Sequence, residues 1–186
     1  MTTGILLLAA GSSRRFGSDK RKALLPNGQT LLSHTVRQAL RSGLPVMVCL
    51  RGDDTELADQ LQNLGASTLL CPVADEGMGS TLAYGVKHLP DWDRLLIALG
   101  DMPDIIPATF CKAAAALDTD DICQPCLNGT PGHPVGFSRA YFAQLAKLEG
   151  DSGARTVLRK NGEAVIRFPV DDPGIVRDID RPVDIQ

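Results

Sequence analysis

The chain has 186 residues, 44% of them hydrophobic and 22% charged, with a formal net charge of −3. That length and balance fit one globular domain spanning residues 1–186, and the acidic balance argues against a general nucleic-acid partner. With aromatics at only 4%, the core must be built mostly from Leu, Val, Ile and Ala.

The apolar run Ile5 to Ala10 stops at Gly11. Small residues follow, then a basic cluster of Arg14, Arg15, Lys20, Arg21 and Lys22. The order predicts a buried strand delivering a small-residue loop to the carboxyl edge of a sheet, where open α/β sheets bind ligands. Small residues let backbone amides approach a phosphate, and the cations neutralise it. A solvated basic loop is the plainer alternative.

Residues 31–41 carry a helix period, with Thr30 as N-cap and Gly43 as stop. A strand at 45–50, a helix at 53–65 opened by acidic caps and a strand at 67–71 complete a β-α-β-α-β start, which predicts a parallel sheet with right-handed crossovers. Gly77 and Gly79 then precede a helix running to about His88, with Ser80 or Thr81 as its cap. A glycine loop entering a helix offers a second anion or ribose site, or is a simple junction.

The strand Leu95 to Leu99 ends in Gly100, Asp101, Met102 and Pro103. Asp101 would share the carboxyl edge with the first loop, where it suits Mg²⁺ bridging protein and triphosphate. It could equally cap the helix expected at 107–118. A strand at 122–127, a turn containing His133, a short strand at 135–137, two helices between 138 and 162, a strand at 163–170 and a short strand at 174–179 finish the chain. Cys123 and Cys126 form a CxxC inside an apolar run broken by Pro125, with only His133 nearby as a further ligand, so they read as strand cysteines in preference to a redox or zinc pair. Five cysteines, an odd number, read as reduced thiols of a cytoplasmic protein. Residues 1–10 lack the charged start of a signal peptide, and no apolar run approaches the ~20 residues of a membrane span.

The stretch LAAGSSRRFGSDK (8–20) is similar to the signature L-A-(A/G)-G-x-(G/S)-x-R-(M/F)-G-x-x-K of nucleotidyltransferases. Five further stretches agree in order: 77–82, Gly100 to Pro103, Gly132 to Val135, Gly150 to Arg155 and Asp178 to Asp184. The chain thus resembles the molybdenum cofactor cytidylyltransferase family within the MobA-like NTP transferases. GHPVGF and GDSGAR favour the cytidylyl branch, and Leu8-Ala9-Ala10-Gly11 stands where guanylyltransferase relatives usually have L-A-G-G. The resemblance implies a Rossmann-like, glycosyltransferase-A type α/β fold with a mostly parallel central sheet. It implies CMP transfer from CTP to the molybdenum-molybdopterin cofactor with release of pyrophosphate, dependent on Mg²⁺, with Mn²⁺ as a substitute. The molybdopterin cofactor is then a small-molecule partner, and a molybdenum hydroxylase a recipient of the product.

Carried onto matching positions, the resemblance implies Arg15, Lys20 and Asp101 as catalytic residues and Asp101 with Asp180 as metal ligands. Leu8, Ala9, Ala10, Gly11, Ser12, Ser13, Gly77, Ser80, Thr81 and Gly100 would bind the nucleotide. His133 and the Asp151 loop would lie on the pterin side. Lys20 is preferred to Lys22 by its spacing from Gly17, and Asp180 to Asp178 by its place at the end of the last expected strand. Other readings within reach are transfer of GMP or CMP to another phosphorylated acceptor, and a non-catalytic carrier of the molybdenum cofactor. An NAD module is disfavoured, because Gly11 and Gly17 are too far apart for G-x-G-x-x-G.

Overall fold

The computed structural model describes residues 1–13 and 15–185. Arg14, part of the expected basic cluster, lies outside the described residues. The chain runs β1 (Thr3–Leu8), α1 (Leu31–Leu40), β2 (Val46–Arg51), α2 (Thr55–Gln62), β3 (Ser67–Cys71), α3 (Met78–Lys87), β4 (Arg94–Leu99) and α4 (Pro107–Ala116). It continues through β5 (Ile122–Leu127), β6 (Thr130–Pro131), β7 (Val135–Ser138), α5 (Phe142–Leu145), α6 (Arg155–Lys160) and β8 (Val165–Pro169).

The strands form one sheet in the order β3-β2-β1-β4-β7-β5-β6, with β8 paired to β5. β1 lies parallel to both β2 and β4, whereas β7 is antiparallel to β4 and β5. The fold is therefore a Rossmann-like, mostly parallel α/β sheet. The chain winds outward from β1 to β3, then crosses back to place β4 on the other side of β1. That reversal makes the β1/β4 carboxyl edge a topological switch point.

β1 is wholly buried because it is covered on both sides. Ile5, Leu7 and Ala9 face a core with Leu32, Val36, Leu61 and Phe110. Leu6 and Leu8 face a second core with Leu82, Val86, Trp92 and Phe137. The two-residue strand period divides one apolar run between the two layers. Each fully buried Leu or Ile contributes about 1.5–3 kcal/mol, which makes β1 the anchor of both cores.

Several boundaries differ from the sequence expectation. α3 starts at Met78 with Gly77 as N-cap, so Ser80 and Thr81 lie inside the helix. Gly77 turns the chain at φ +118°, while Thr81 Oγ1 donates back to the Gly77 carbonyl. The expected strand at 174–179 is instead a 3-10 turn, Pro173–Val176. Pro173 has no backbone N–H for a ladder, and the Asp172 carboxylate accepts from Gly174 N. The segment is held by single bonds, from His133 N to the Ile175 carbonyl and from Ile179 N to the Asp101 carbonyl, both 2.9 Å. The expected helix after residue 138 shrinks to a 3-10 turn and the single turn of α5. Thr30 caps α1 as expected, accepting from Ser33 N. Asp54 stands at the N-cap of α2 but makes no capping bond.

Candidate functional site

The carboxyl ends of β1 and β4 meet closely. Gly100 N donates to the Leu8 carbonyl at 2.9 Å. A Cβ on Gly100 would stand 2.9 Å from the Ala9 Cβ, so a side chain there would force the strand ends apart. Above this edge lies a cleft of about 470 Å³. Leu8 to Ser13, Arg15, Lys20, Gly77, Thr81, Gly100, Asp101 and Asp180 all line it. The first loop, the turn before α3, the end of β4 and the C-terminal arm thus converge, as the motifs imply. Ser13 adopts φ +52°, a left-handed conformation that explains why glycine suits this position in the signature.

Two predicted residues lie elsewhere. Ser80 is buried, and its hydroxyl accepts from Gly150 N at 3.0 Å. His133 does not line the cleft; its ring Nδ1 sits 3.4 Å from the Ile97 carbonyl. Burial pushes its pKa down, against the opposing pull of the Ile97 carbonyl and Asp101, so the ring is neutral at pH 7.

The start of α3 is not an open anion site. Gly79 N and Ser80 N both donate to the Gly150 carbonyl, at 2.7 and 3.3 Å. A Cβ on Gly77 would lie 2.5 Å from that carbonyl group, and one on Gly79 would lie 2.6 Å from the Ser152 oxygen. These glycines therefore act as a seat for the 150–153 turn. The turn in its place delivers Asp151 to the cleft wall.

The charged centre is built around Lys20. Its ammonium donates to Asp101 Oδ2 at 2.7 Å, the Ile179 carbonyl at 2.9 Å and Asp180 Oδ1 at 3.2 Å. Three donors thus meet three acceptors on a side chain only 14% exposed. Burial lowers the Lys20 pKa, but the bonds and charges of the two aspartates outweigh it and hold the ammonium above the ordinary lysine range. Arg15 pairs with the other oxygen of Asp180. The spacing from Gly17 therefore selects the cation that reaches the centre: Lys22 is exposed and Arg21 turns into the protein.

Asp101, Asp178 and Asp180 each present a carboxylate oxygen within 4.8 Å of the others. Asp178 and Asp180 thus belong to one group. Asp101 Oδ1 is buried and has no hydrogen-bond partner among the described residues. A buried, unpartnered carboxylate oxygen carries a substantial desolvation cost, and a hard divalent cation is the ligand that offsets it. The residues present fit such an ion.

The cysteines fit no such role. Cys123 is buried in β5 with its thiol donating to the Ala113 carbonyl, and burial pushes its pKa up to about 12. Such a thiol is inert as a nucleophile.

Sequence reasoning did not pick out Phe16, Asp75, Glu76 and Met78, which also line the cleft, nor the polar support under the loop. Arg21, Arg51, Asp19 and Asp54 form a network beneath residues 9–11. The only local signal was that Arg21 sits between two lysines, which gives no direction.

A switch-point cleft with a small-residue loop, two cations and a carboxylate cluster defines a nucleotidyltransferase fold of the Rossmann-like α/β class. The chain belongs to the family described as the MobA-like NTP transferase domain, whose model matches residues 5–165. It is 31% identical to the purine catabolism protein PucB of Bacillus subtilis, over 95% of this chain and 91% of that protein. It is 27% identical to the nicotine blue oxidoreductase of Paenarthrobacter nicotinovorans and 25% identical to the molybdenum cofactor cytidylyltransferase of Escherichia coli, each over 96% of this chain and 91% of the relative. Among solved structures, Rv0371c of Mycobacterium tuberculosis superposes with a TM-score of 0.86 at 25% identity, covering 99% of this chain and 95% of that one.

Proposed function

We propose that this protein transfers CMP from CTP to the molybdenum-molybdopterin cofactor, releasing pyrophosphate. One observation carries the reading: Arg15, Lys20, Asp101 and Asp180 converge at the mouth of the first loop. The similarity to a molybdenum cofactor cytidylyltransferase supports the choice of acceptor and base. Asp101, Asp178 and Asp180 would hold a divalent ion, Mg²⁺ or Mn²⁺. When bound, that ion supplies Lewis-acid polarisation of a phosphoryl oxygen.

The protein's own groups do the rest. An acceptor phosphate is already ionised at neutral pH, so attack on the α-phosphorus requires no general base. The obstacle is bringing two anions together, and this is met by positioning and fixed positive charge. Amides of residues 10–12 hold the triphosphate from one side. Arg15, exposed at the cleft rim, turns from Asp180 to the incoming phosphates. Lys20 stabilises charge on the departing pyrophosphate, which requires it to give up its present carboxylate partners. Thr81 and Gly77 face the base and ribose from the opposite wall, and the Asp151 turn borders the acceptor side.

The test is incubation of the purified protein with molybdenum cofactor, Mg²⁺ and CTP or GTP in separate reactions, with product identified by mass. The expected outcome is a cytosine dinucleotide and stoichiometric pyrophosphate with CTP. Pterin binding without pyrophosphate from any nucleotide would instead identify a carrier.

A further inference from the structure

Beneath the first loop two arginines are locked to one aspartate; Arg21 also borders the cleft, whereas Arg51 and Asp54 do not line it. The Arg21 guanidinium spends all five of its N–H groups inside the protein. Nε and one terminal nitrogen bond Asp19 at 2.8 Å each. The same terminal nitrogen bonds Asp54 Oδ1 at 2.8 Å, and the other bonds Asp54 Oδ2 and the Ala9 carbonyl, the latter at 3.0 Å. Asp54 Oδ2 also accepts from Arg51 N at 2.9 Å. The Arg51 side chain then reaches the Ala10 carbonyl at 3.4 Å and the Gly11 carbonyl. Three successive carbonyls, of Ala9, Ala10 and Gly11, are therefore held by two cations.

That arrangement fixes the other half of each peptide. The cis peptide bond among the described residues is His133–Pro134, so the loop peptides are trans. In a trans peptide the C=O of one residue and the N–H of the next point in opposite directions. Holding the carbonyls of residues 9, 10 and 11 toward the arginines aims the N–H groups of Ala10, Gly11 and Ser12 the other way, into the cleft those residues line. Successive amides aimed at one point make an anion nest. Cations bonded behind the carbonyls also withdraw electron density from the amides and strengthen them as donors.

We infer that Arg21, Arg51 and Asp54 are positioning residues that set the first loop as a triphosphate nest, acting through the carbonyls of residues 9–11. The inference rests on the nucleotidyl-transfer reading. It also explains why Asp54, at the N-cap of α2, leaves that helix uncapped: its carboxylate is committed to the two arginines.

Arg51→Met is the decisive variant, because it leaves the Arg21–Asp54 pair intact. Binding of CTP and of inorganic tripolyphosphate is measured by calorimetry, with Mn²⁺ binding and thermal unfolding followed in parallel. Arg51→Met should weaken tripolyphosphate and CTP alike by about tenfold, the scale of one charge-assisted hydrogen bond. Mn²⁺ affinity and the unfolding temperature should stay within error of wild type, and Arg51→Lys should recover part of the loss. Asp54→Asn should weaken both ligands further. Wild-type affinity for both ligands in Arg51→Met overturns the inference while sparing the nucleotidyl-transfer reading. A wild-type protein that binds neither CTP nor tripolyphosphate overturns both.

Discussion

Lys20→Met should produce an enzyme that binds metal better and turns over worse. The Lys20 ammonium occupies the carboxylate group that a divalent ion would use, bonding Asp101 at 2.7 Å and Asp180 at 3.2 Å. A hydrogen bond to a charged group contributes about 1.5–3 kcal/mol net. Lys20 makes two to carboxylates, and its own burial cancels part of that gain. About 1.5–3 kcal/mol of competition therefore remains against an incoming cation, or roughly 10- to 100-fold in affinity. Titration of Mn²⁺ by electron paramagnetic resonance, without nucleotide, reads this directly. The wild type should bind weakly, and Lys20→Met should bind roughly 10- to 100-fold more tightly. Pyrophosphate release should meanwhile fall by about 10²-fold or more, because a transition-state cation is gone. Mn²⁺ binding that is unchanged or weaker in Lys20→Met would refute the competition, and near-normal turnover would refute the catalytic role.

Asp101→Asn should abolish metal-dependent turnover and lower Mn²⁺ affinity while leaving the far-ultraviolet circular dichroism unchanged. Gly77→Ala places a Cβ 2.5 Å from the Gly150 carbonyl at φ +118° and should cost about 1–3 kcal/mol in urea unfolding. Hydrogen bonds from Arg21 hold the Asp19 carboxyl below its ordinary value of 3.8, over the opposing effect of burial. Its contribution to stability is therefore complete above pH 3.8 and lost as the pH falls through the lower native value, so Asp19→Asn should flatten the acid limb of a stability profile. His133 is held neutral by burial, with its native pKa below the ordinary 6.5. The unfolded chain takes up the proton first, so stability falls as the pH drops from 6.5 toward the native value, and His133→Gln should remove that slope.

Local pattern carried much of the fold. The strands at 67–71 and 122–127 match the structure residue for residue, because an apolar run between turn residues has few alternatives. The cleft was legible because its residues sit at strand ends, which topology places on one edge. Segments governed by distant partners were not legible. Ser80 reads as a helix cap, yet its hydroxyl is taken by Gly150, 70 positions away. Residues 174–179 read as a strand, yet Asp172 and Pro173 turn them into a 3-10 turn pinned to the end of β4. Asp54 reads as an ordinary cap, and only the fold brings it to Arg21. Asp178 and Asp180 read as alternatives because only the residue at the end of the expected strand is placed to leave the sheet; with no strand there, both lie beside Asp101.

The seat that Gly77 and Gly79 provide for the 150–153 turn bears on how this enzyme could be re-engineered. The cleft wall formed by residues 77–81 and the Asp151 turn are joined by contacts to two bare α-carbons. Exchanging residues 74–81 for those of a relative would bring a new contour beneath an unaltered turn. The two pieces would then collide or part. A graft that moves 74–81 and 149–153 as one cassette keeps the seam matched, so the smallest transplantable unit of this cleft is discontinuous in sequence.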